Sequence, residues 1–185
     1  MPLDLSTLAG IVARSETLVS PAQVQQALNR LAAAVSARFA GQDPLVLCVM
    51  NGGVIPAGHL LTRLDFPLRL DYLHATRYRG ATSGGELHWL RRPDQSLRGQ
   101  RVLVIDDVFD AGLTLEAIVQ DCESQGAASV ASLVLVEKLR DRDCAYRPDF
   151  VGLRVVDRYL FGCGMDYQDY LRNFPGIAAV DDADL

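Results

Sequence analysis

The chain has 185 residues, of which 49% are hydrophobic and 22% are charged, a balance typical of one soluble globular domain with a buried core. Its formal net charge is −5 and no stretch is rich in Lys and Arg, which argues against general affinity for nucleic acid. The four cysteines form no CxxC pair, the apolar runs are too short to span a membrane, and the first residues carry no export signal. We therefore expect a cytoplasmic enzyme or small binding domain, with neither a nucleic-acid nor a membrane partner.

The first predicted elements follow from a capping signal and from hydrophobic spacing. A capping box at 20–23 begins a helix, and apolar residues then recur at helical spacing as far as Val35. The elements that follow are a buried strand over 45–50, a glycine turn over 51–53, a helix over 54–63 and a strand over 67–73.

The polar segment 76–87 has no hydrophobic periodicity, unlike the elements on either side of it. Its glycines at 80, 84 and 85 give the backbone hinge freedom. A long loop of this kind in a compact domain is often functional, and we expect it to close as a lid over a bound ligand. The alternative is a surface excursion without a role.

The second half of the chain contains a strand–helix–strand unit. Two nearly continuous apolar strands, over 102–105 and 130–136, flank an amphipathic helix over 114–124. Gly126 stands where the end of a helix favours a left-handed residue. Such a unit is right-handed, its strands are parallel, and both faces of its sheet are covered. The sequence therefore predicts an α/β fold.

Acidic residues and a glycine turn follow the first of these strands. Asp106 and Asp107 stand at its carboxyl end, where open α/β sheets bind ligands, and 110–114 lead into the helix. The free N–H groups and the positive end of that helix favour a phosphate. Because carboxylates repel a phosphate, we expect them to bind sugar hydroxyls or a hydrated Mg²⁺. The pattern predicts a site for a sugar phosphate that carries further phosphates through a metal ion.

Two other interpretations account for less of this motif. The aspartates could cap the helix, but three acidic residues with a glycine and a threonine at these offsets exceed what a cap requires. A phospho-acceptor receiver domain also has adjacent aspartates after a strand. It carries them near its N-terminus, whereas here roughly a hundred residues precede the pair.

The motif 102–115 resembles the signature with which type I phosphoribosyltransferases bind phosphoribosyl pyrophosphate (PRPP). Further segments resemble the hypoxanthine-guanine branch of that family: 136–138, 147–152, 157–167 and Arg172. The resemblance extends from about residue 45 to residue 180, with its separate motifs in the order that the family has.

The resemblance implies the fold and the reaction. One phosphoribosyltransferase domain over 1–185 would have a parallel-rich sheet with flanking helices and a small hood, formed by about 1–20 and 150–185. The reaction would join hypoxanthine or guanine to the ribose of PRPP, giving IMP or GMP and pyrophosphate, with Mg²⁺ as cofactor. Homo-oligomers, either dimers or tetramers, are usual in this family.

Within the central motif, the resemblance implies roles on the phosphate side. Asp106 and Asp107 would hold the ribose hydroxyls, directly or through Mg²⁺. Asp110 would act as acid/base on the proton at N7 of the purine. The residues that would cradle the 5′-phosphate are Asp110, Ala111, Gly112, Leu113 and Thr114.

The resemblance also implies residues for the base and for pyrophosphate. Lys138 would donate to O6 of a 6-oxo purine, Tyr159 would stack on the ring, and the backbone of Leu160 would bond its edge. Asp166 would lie beside the purine and serve as a second magnesium ligand. The remaining implied contacts are Asn51, Gly52 and Arg172 to pyrophosphate, and Arg77 and Tyr78 in the lid.

Three positions depart from the family pattern. Asn51 stands where Lys or Arg is usual, and Ala111 replaces a threonine of the phosphate loop. Arg77 and Tyr78 replace a Ser-Tyr pair in the lid. These departures bear on affinity and kinetics rather than on the reaction.

Two alternative functions remain. One is a PRPP-sensing regulator that binds nucleic acid, which would need the basic face that this composition lacks. The other is a phosphoribosyltransferase that prefers xanthine or adenine. The sequence does not rank hypoxanthine against guanine, because that choice depends on backbone geometry around Leu160 and Asp166.

Overall fold

The computed structural model describes residues 3–77 and 87–185. The helices are α1 (Leu5–Arg14), α2 (Pro21–Phe39), α3 (Val54–Leu61) and α4 (Leu113–Ser124), with a short 3₁₀ turn at Asp182–Asp184. The strands are β1 (Glu16–Val19), β2 (Leu45–Val49), β3 (Arg69–Arg77), β4 (Leu87–Arg91), β5 (Arg101–Phe109), β6 (Ser129–Leu139), β7 (Phe150–Val156), β8 (Leu160–Phe161) and β9 (Ile177–Ala179). Among the described residues, no helix is long and apolar enough to cross a membrane.

The larger of two sheets has the strand order β4-β3-β2-β5-β6-β7. From β3 to β7 the pairs are parallel, and β4 pairs antiparallel with β3 at one edge. Because the carboxyl ends of parallel strands meet at the same edge of a sheet, the segments after β2, β5 and β6 lie side by side.

Both faces of this sheet are covered, since successive residues of a strand point to opposite sides. Val46 and Leu103 pack with α2 and α3 on one face, while Leu47 and Val104 pack with α4 on the other. All four side chains are fully buried. The predicted α/β architecture is confirmed.

The predicted helix ends are also confirmed. The Ser20 side chain accepts a hydrogen bond from the Gln23 N–H, and Gln23 Oε1 accepts one from the Ser20 N–H at 2.8 Å. The capping box that begins α2 is therefore complete. Gly126, just after the carboxyl end of α4, has φ +85°, the left-handed conformation expected after a helix.

Two strands run further than their apolar stretches predicted. The strands expected over 102–105 and 130–136 are β5 and β6, and the ladder between them continues to the pair Phe109 and Glu137. Backbone pairing, which does not depend on side-chain polarity, extends both strands. Asp106 and Asp107 consequently lie within the sheet rather than after it.

A second sheet, with strand order β1-β9-β8, joins segments from both ends of the chain and forms the hood. Its own buried cluster consists of Leu8, Ile11, Phe161, Tyr167, Ala178 and Val180. The residues 150–156, which the family resemblance assigned to the hood, form β7 instead, because their backbone pairs with β6 at the edge of the large sheet. The strands of the hood therefore come from 16–19 and 160–179.

The four cysteines, Cys48, Cys122, Cys144 and Cys163, are unpaired and buried. Burial raises the pKa of Cys48 and of Cys122 to about 12, and that of Cys163 to about 11. These three side chains therefore remain neutral thiols near pH 7, as expected of structural cysteines.

Candidate active site

Asp106 and Asp107 form a carboxylate pair near the end of β5. Asp107 is 7% exposed, and its N–H donates to Asp106 Oδ1 at 2.9 Å. The N–H of Val108 donates to Asp107 Oδ1 at 2.8 Å. Burial raises the pKa of both carboxyls, and the charge of Asp107 raises that of Asp106 further. A bound cation or hydroxyl donor would relieve this cost, so the pair is suited to hold one.

Gly112 turns the chain from β5 into α4. Its φ of +86° lies in the left-handed region, and an added Cβ would come within 2.7 Å of the Phe109 ring. Gly112 is also the N-cap of α4, so none of the aspartates takes the capping role that was considered for them. Because this cap has no side chain to accept a hydrogen bond, the amino end of α4 is suited to an anion.

Two cavities meet at the end of β5. The loop cavity, of about 550 Å³, follows the chain from Asp106 to Leu115 and reaches Thr76. The hood cavity, of about 530 Å³, lies between Asp110, Lys138, Tyr159, Leu160, Asp166 and Arg172. Asp107, Val108 and Asp110 line both cavities. The two cavities are therefore adjacent at these three residues.

A cluster of four charged side chains lies at the junction: Asp110, Lys138, Arg140 and Asp157. Lys138 Nζ lies 3.1 Å from Asp110 Oδ2 and 3.7 Å from Asp157 Oδ1. Arg140 Nη1 lies 2.7 Å from Asp110 Oδ1. Burial alone would raise the pKa of Asp110, but its hydrogen bonds to Lys138 and Arg140, and their charges, hold that pKa below its ordinary value. Asp110 is thus ionised near neutral pH, with one cation at each carboxylate oxygen.

Arg142, in the loop after β6, contacts the backbone of both strand ends. Its side chain is 5% exposed, and its Nε donates to the carbonyl oxygen of Asp110 at 2.5 Å. Its Nη2 donates to the carbonyl oxygens of Phe109, at 3.1 Å, and of Lys138. The sequence did not single out Arg140 or Arg142, because an arginine in a polar loop is usually a solvated charge.

The hood supplies the far wall of the hood cavity. Tyr159 is 40% exposed, whereas Leu160 is buried in β8. Asp166 Oδ1 lies 2.8 Å from Arg172 Nη2, and Arg172 Nη1 donates to the carbonyl oxygen of Gly164 at 2.7 Å. The charge of Arg172 also opposes the rise in pKa of the carboxylate pair on β5. Arg172 is therefore close enough to β5 to act on an anion bound there.

Gly164 brings the hood against the turn that follows β2. An added Cβ at Gly164 would lie 2.2 Å from the carbonyl oxygen of Gly52 and 3.0 Å from the Asp107 Cβ. An added Cβ at Gly52 would lie 2.2 Å from Asp107 Oδ2. Three segments thus meet at this point, where the Asp107 side chain lies against two residues that lack a Cβ. Sequence reasoning did not single out Gly164, since glycines are common in irregular segments.

Most of the predicted site residues are brought together by the two cavities. Asn51 and Gly52 are exceptions: neither lines a cavity, and Asn51 is exposed. Arg77 is the last residue of β3, but its side chain and the segment 78–86, with Tyr78, lie outside the described residues. The lid therefore stays a prediction. Thr76, at its near end, lines the loop cavity.

The predicted metal ligands divide between the two sides of the site. Asp106 and Asp107 fit a hydrated divalent cation, because they are adjacent carboxylates whose pKa burial raises. Asp166 is paired with Arg172, and within 3–77 and 87–185 no three His, Cys, Asp or Glu side chains group to enclose a metal ion. A cation held by one or two carboxylates, water and ligand oxygens suits this arrangement.

Comparisons with known proteins agree with this geometry. The model of the phosphoribosyl transferase domain matches residues 16–169. The chain is 30% identical to the hypoxanthine-guanine phosphoribosyltransferase of Bacillus subtilis over 169 residues, covering 91% of this chain and 94% of that protein. It is 32% identical to the bifunctional protein TilS/HprT of Listeria innocua over 89% of its own length, but it spans 26% of that longer protein.

A solved structure shares the fold. It is a hypoxanthine-guanine-xanthine phosphoribosyltransferase, with a TM-score of 0.83 and 26% sequence identity, and the match covers 90% of this chain and 97% of the other. Kinship of this extent also supports a divalent metal ion as cofactor. By its matched domain, its nearly full-length relative and its two joined cavities, this chain belongs to the phosphoribosyl transferase family.

Proposed function

We propose that this chain is a hypoxanthine-guanine phosphoribosyltransferase of purine salvage, which transfers the phosphoribosyl group of PRPP to the base and releases pyrophosphate. The observation that carries the proposal is the meeting of the two cavities at Asp110. A purine nucleotide has an anionic end and an aromatic end, and the cavities offer a helix amino end on one side and a tyrosine face on the other. The names of the relatives support the same base class.

On the phosphate side, the loop 110–114 and the amino end of α4 bind the 5′-phosphate. Gly112 lets the backbone approach the anion, and the hydroxyl of Thr114 adds a donor. Asp106 and Asp107 hold the ribose hydroxyls, directly or through the metal ion. Asp107 lines both cavities and Asp106 lines the loop cavity, and these positions suit the sugar, which links phosphate and base.

Asp110 handles the proton of the purine. It is ionised near neutral pH, because Lys138 and Arg140 hold its pKa low. When the base enters, its N7–H replaces a cation at one carboxylate oxygen, and Lys138 is released toward O6 of the ring. One exchange of partners therefore prepares both the proton acceptor and the donor that recognises the base.

We propose Mg²⁺ as the metal, with Asp106 and Asp107 as ligands on the sugar side and Asp166 as a separate ligand on the hood side. When bound, it neutralises charge that develops on the departing pyrophosphate. Arg172 contacts the same anion with its guanidinium, which suits phosphate oxygens, and the backbone of Gly52 meets it from the turn. Asn51 brings no charge to this contact.

Lys138 sets the class of base. It is the only lysine among the 18 Lys and Arg residues of the chain. Since the chain otherwise uses arginine, the choice of lysine at this position has a specific reason. An ammonium at this place pairs with the 6-oxo group of hypoxanthine, guanine or xanthine and has no acceptor in the 6-amino group of adenine. Tyr159 stacks on the ring and the Leu160 backbone bonds its edge.

Two further parts of the proposal concern a lid over the site and the assembly of the protein. We propose that 76–87 closes as a lid that carries Arg77 and Tyr78, since an oxocarbenium-like sugar has to be kept from water. We also propose a single cytoplasmic domain that assembles into a homodimer or homotetramer.

A panel of bases tests the proposed function. Purified protein is mixed with PRPP, Mg²⁺ and hypoxanthine, guanine, xanthine or adenine, and pyrophosphate release is followed. Turnover with hypoxanthine or guanine is expected, and adenine should be the poorest substrate. A preparation that favours adenine or xanthine would assign a different base to the site. One that binds PRPP and nucleic acid but turns over no base would support the regulator instead.

A further inference from the structure

We propose that Arg142 is a positioning residue: with one guanidinium it holds the backbone carbonyls of Asp110 and Lys138 and so fixes these two side chains relative to each other. The inference rests on the proposed function, which gives Asp110 the proton and Lys138 the base. Arg142 itself lines neither cavity and reaches the reaction only through these two residues.

The need for such a contact follows from the sheet register. β5 and β6 pair as far as Phe109 and Glu137, and the next two residues are Asp110 and Lys138. At Asp110 the chain leaves the sheet and begins the turn into α4, so the ladder no longer sets the spacing between the two residues. The residue after the last paired position is the proposed acid/base.

Arg142 provides bonds at this point where the ladder ends. Its Nε donates to the Asp110 carbonyl at 2.5 Å, and its Nη2 donates to the carbonyls of Phe109, at 3.1 Å, and Lys138. A planar guanidinium presents its donors in a fixed fork, and it can therefore bind carbonyls from two chain segments at once. A lysine at 142 would offer a single ammonium centre on a flexible stem.

The guanidinium is itself held in place. The Arg142 side chain is 5% exposed, and its Cζ lies 4.7 Å from the centre of the Phe109 ring. Its Nη1 lies 3.5 Å from Glu137 Oε1. Glu137 also pairs with Arg154, whose Nε lies 2.8 Å from Oε2. The charge of Arg142 is thus balanced by Glu137, while its remaining donors serve the backbone.

Substitution of Arg142 by lysine tests the role, with Arg154→Lys as the matched control. Both variants alter an arginine that contacts Glu137, but the Arg154 side chain is exposed and its Nε donates to Glu137 Oε2 rather than to the carbonyls that Arg142 holds. Arg142→Lys should lower kcat by about 10- to 100-fold, the effect of a small misplacement of reacting groups. Arg154→Lys should stay within about twofold of wild type, as an exposed ion pair contributes little.

A double-mutant cycle with Lys138→Ala distinguishes a positioning role of Arg142 from a merely structural one. If Arg142 positions Lys138, the loss caused by Lys138→Ala should be smaller in the Arg142→Lys background than in wild type. Binding of IMP, measured by calorimetry, gives the same cycle without turnover. Circular dichroism and the Tm show whether each variant is folded. Should Arg142→Lys not fold, Arg142→Gln replaces it, since it keeps planar donors and leaves no unpaired buried cation.

Three outcomes would overturn the inference: wild-type kinetics in folded Arg142→Lys, equal losses in Arg142→Lys and Arg154→Lys, or additive effects with Lys138→Ala. The wild-type base panel alone decides the proposed function. A wild type without turnover would therefore reject that function. The double-mutant cycle measured by IMP binding would still decide whether Arg142 and Lys138 are coupled.

Discussion

The two cavities are built in different ways. The loop cavity is lined mainly by one continuous stretch of chain, from Asp106 to Leu115, which leaves the central sheet and enters a helix. The hood cavity takes its walls from the end of β5, from the end of β6 and from the hood, segments that are far apart in the sequence. The first is a local structure, whereas the second depends on how three segments are packed together.

This difference predicts how each cavity responds to substitution. A change in the loop cavity should alter binding of phosphate or metal and leave recognition of the base intact. A change in the part of the hood cavity that is proposed to face the base, at Lys138, Tyr159 or Leu160, should alter recognition of the base and leave PRPP binding nearly unchanged. Asp110 lines both cavities, and its loss should therefore affect the reaction itself.

The largest effect is expected for Asp110→Asn. The amide keeps the size of the side chain but cannot accept the proton, so kcat should fall by about 10²- to 10⁴-fold. Asp157→Asn is the control, because Asp157 also contacts Lys138 and Arg140 but lines neither cavity. Steady-state turnover of Asp110→Asn close to that of wild type would remove Asp110 from the chemistry.

Lys138→Ala tests the hood cavity alone. The KM for a 6-oxo purine should rise by about 10- to 100-fold, while the KM for PRPP should change little. The substitution also removes a cation that lowers the pKa of Asp110, so that pKa should rise. The acid limb of the pH profile of turnover should then move to higher pH, because Asp110 becomes protonated at a higher pH. Equal effects on both substrates would place Lys138 on the phosphate side.

Asp106→Asn should have opposite effects on the stability of the folded protein and on ligand binding in the loop cavity. Because folding raises the pKa of Asp106, its ionisation opposes folding as the pH rises above the ordinary value of about 3.9. The amide should therefore stabilise the metal-free protein by about 1 kcal/mol near neutral pH. This gain should vanish below pH of about 4, where both folded and unfolded carboxyls are protonated.

Denaturant unfolding with and without Mg²⁺ and PRPP measures both effects of Asp106→Asn. In wild type the ligands should raise the free energy of unfolding, and in the variant this increase should be smaller. A variant that is no more stable than wild type at neutral pH, yet binds Mg²⁺ and PRPP normally, would show that the pair is not a strained ligand site.

The smallest effect is expected for Ala111→Thr. Ala111 is exposed and lines the loop cavity, so a hydroxyl there has room to donate to the 5′-phosphate. PRPP binding should tighten by about 1 kcal/mol. Ala111→Val, of similar volume but without a hydroxyl, is the control. Calorimetry that finds no gain for threonine over valine would show that the loop is shaped around alanine.

The sequence predicted the central fold because its elements carry local signals. The capping box at 20–23 and the apolar strands on either side of α4 are read from neighbouring residues. The hood carries no such signal, since β8 and β9 have only two and three residues. Its existence was implied by the family resemblance, and the wrong assignment of 150–156 arose because an edge strand is set by pairing rather than by composition.

The site divides in the same way. The loop cavity could be predicted from one motif, whereas Arg142 acts through backbone carbonyls that no side-chain pattern encodes. Gly164 owes its importance to the approach of two chain segments, which only the packed structure reveals. Local chemistry is thus visible in the sequence, and contacts between distant backbones are not.

The approach of Gly164 to Gly52 limits how chimaeric proteins can be made from this scaffold. A hood from another protein can replace this one only if it brings a residue without Cβ to the place of Gly164, or if the turn at Gly52 is exchanged with it. Libraries that graft the hood alone should lose most of their members to this one contact. Transplanting the hood and the turn as a unit keeps their two backbones matched, and it leaves the rest of the sheet free to vary.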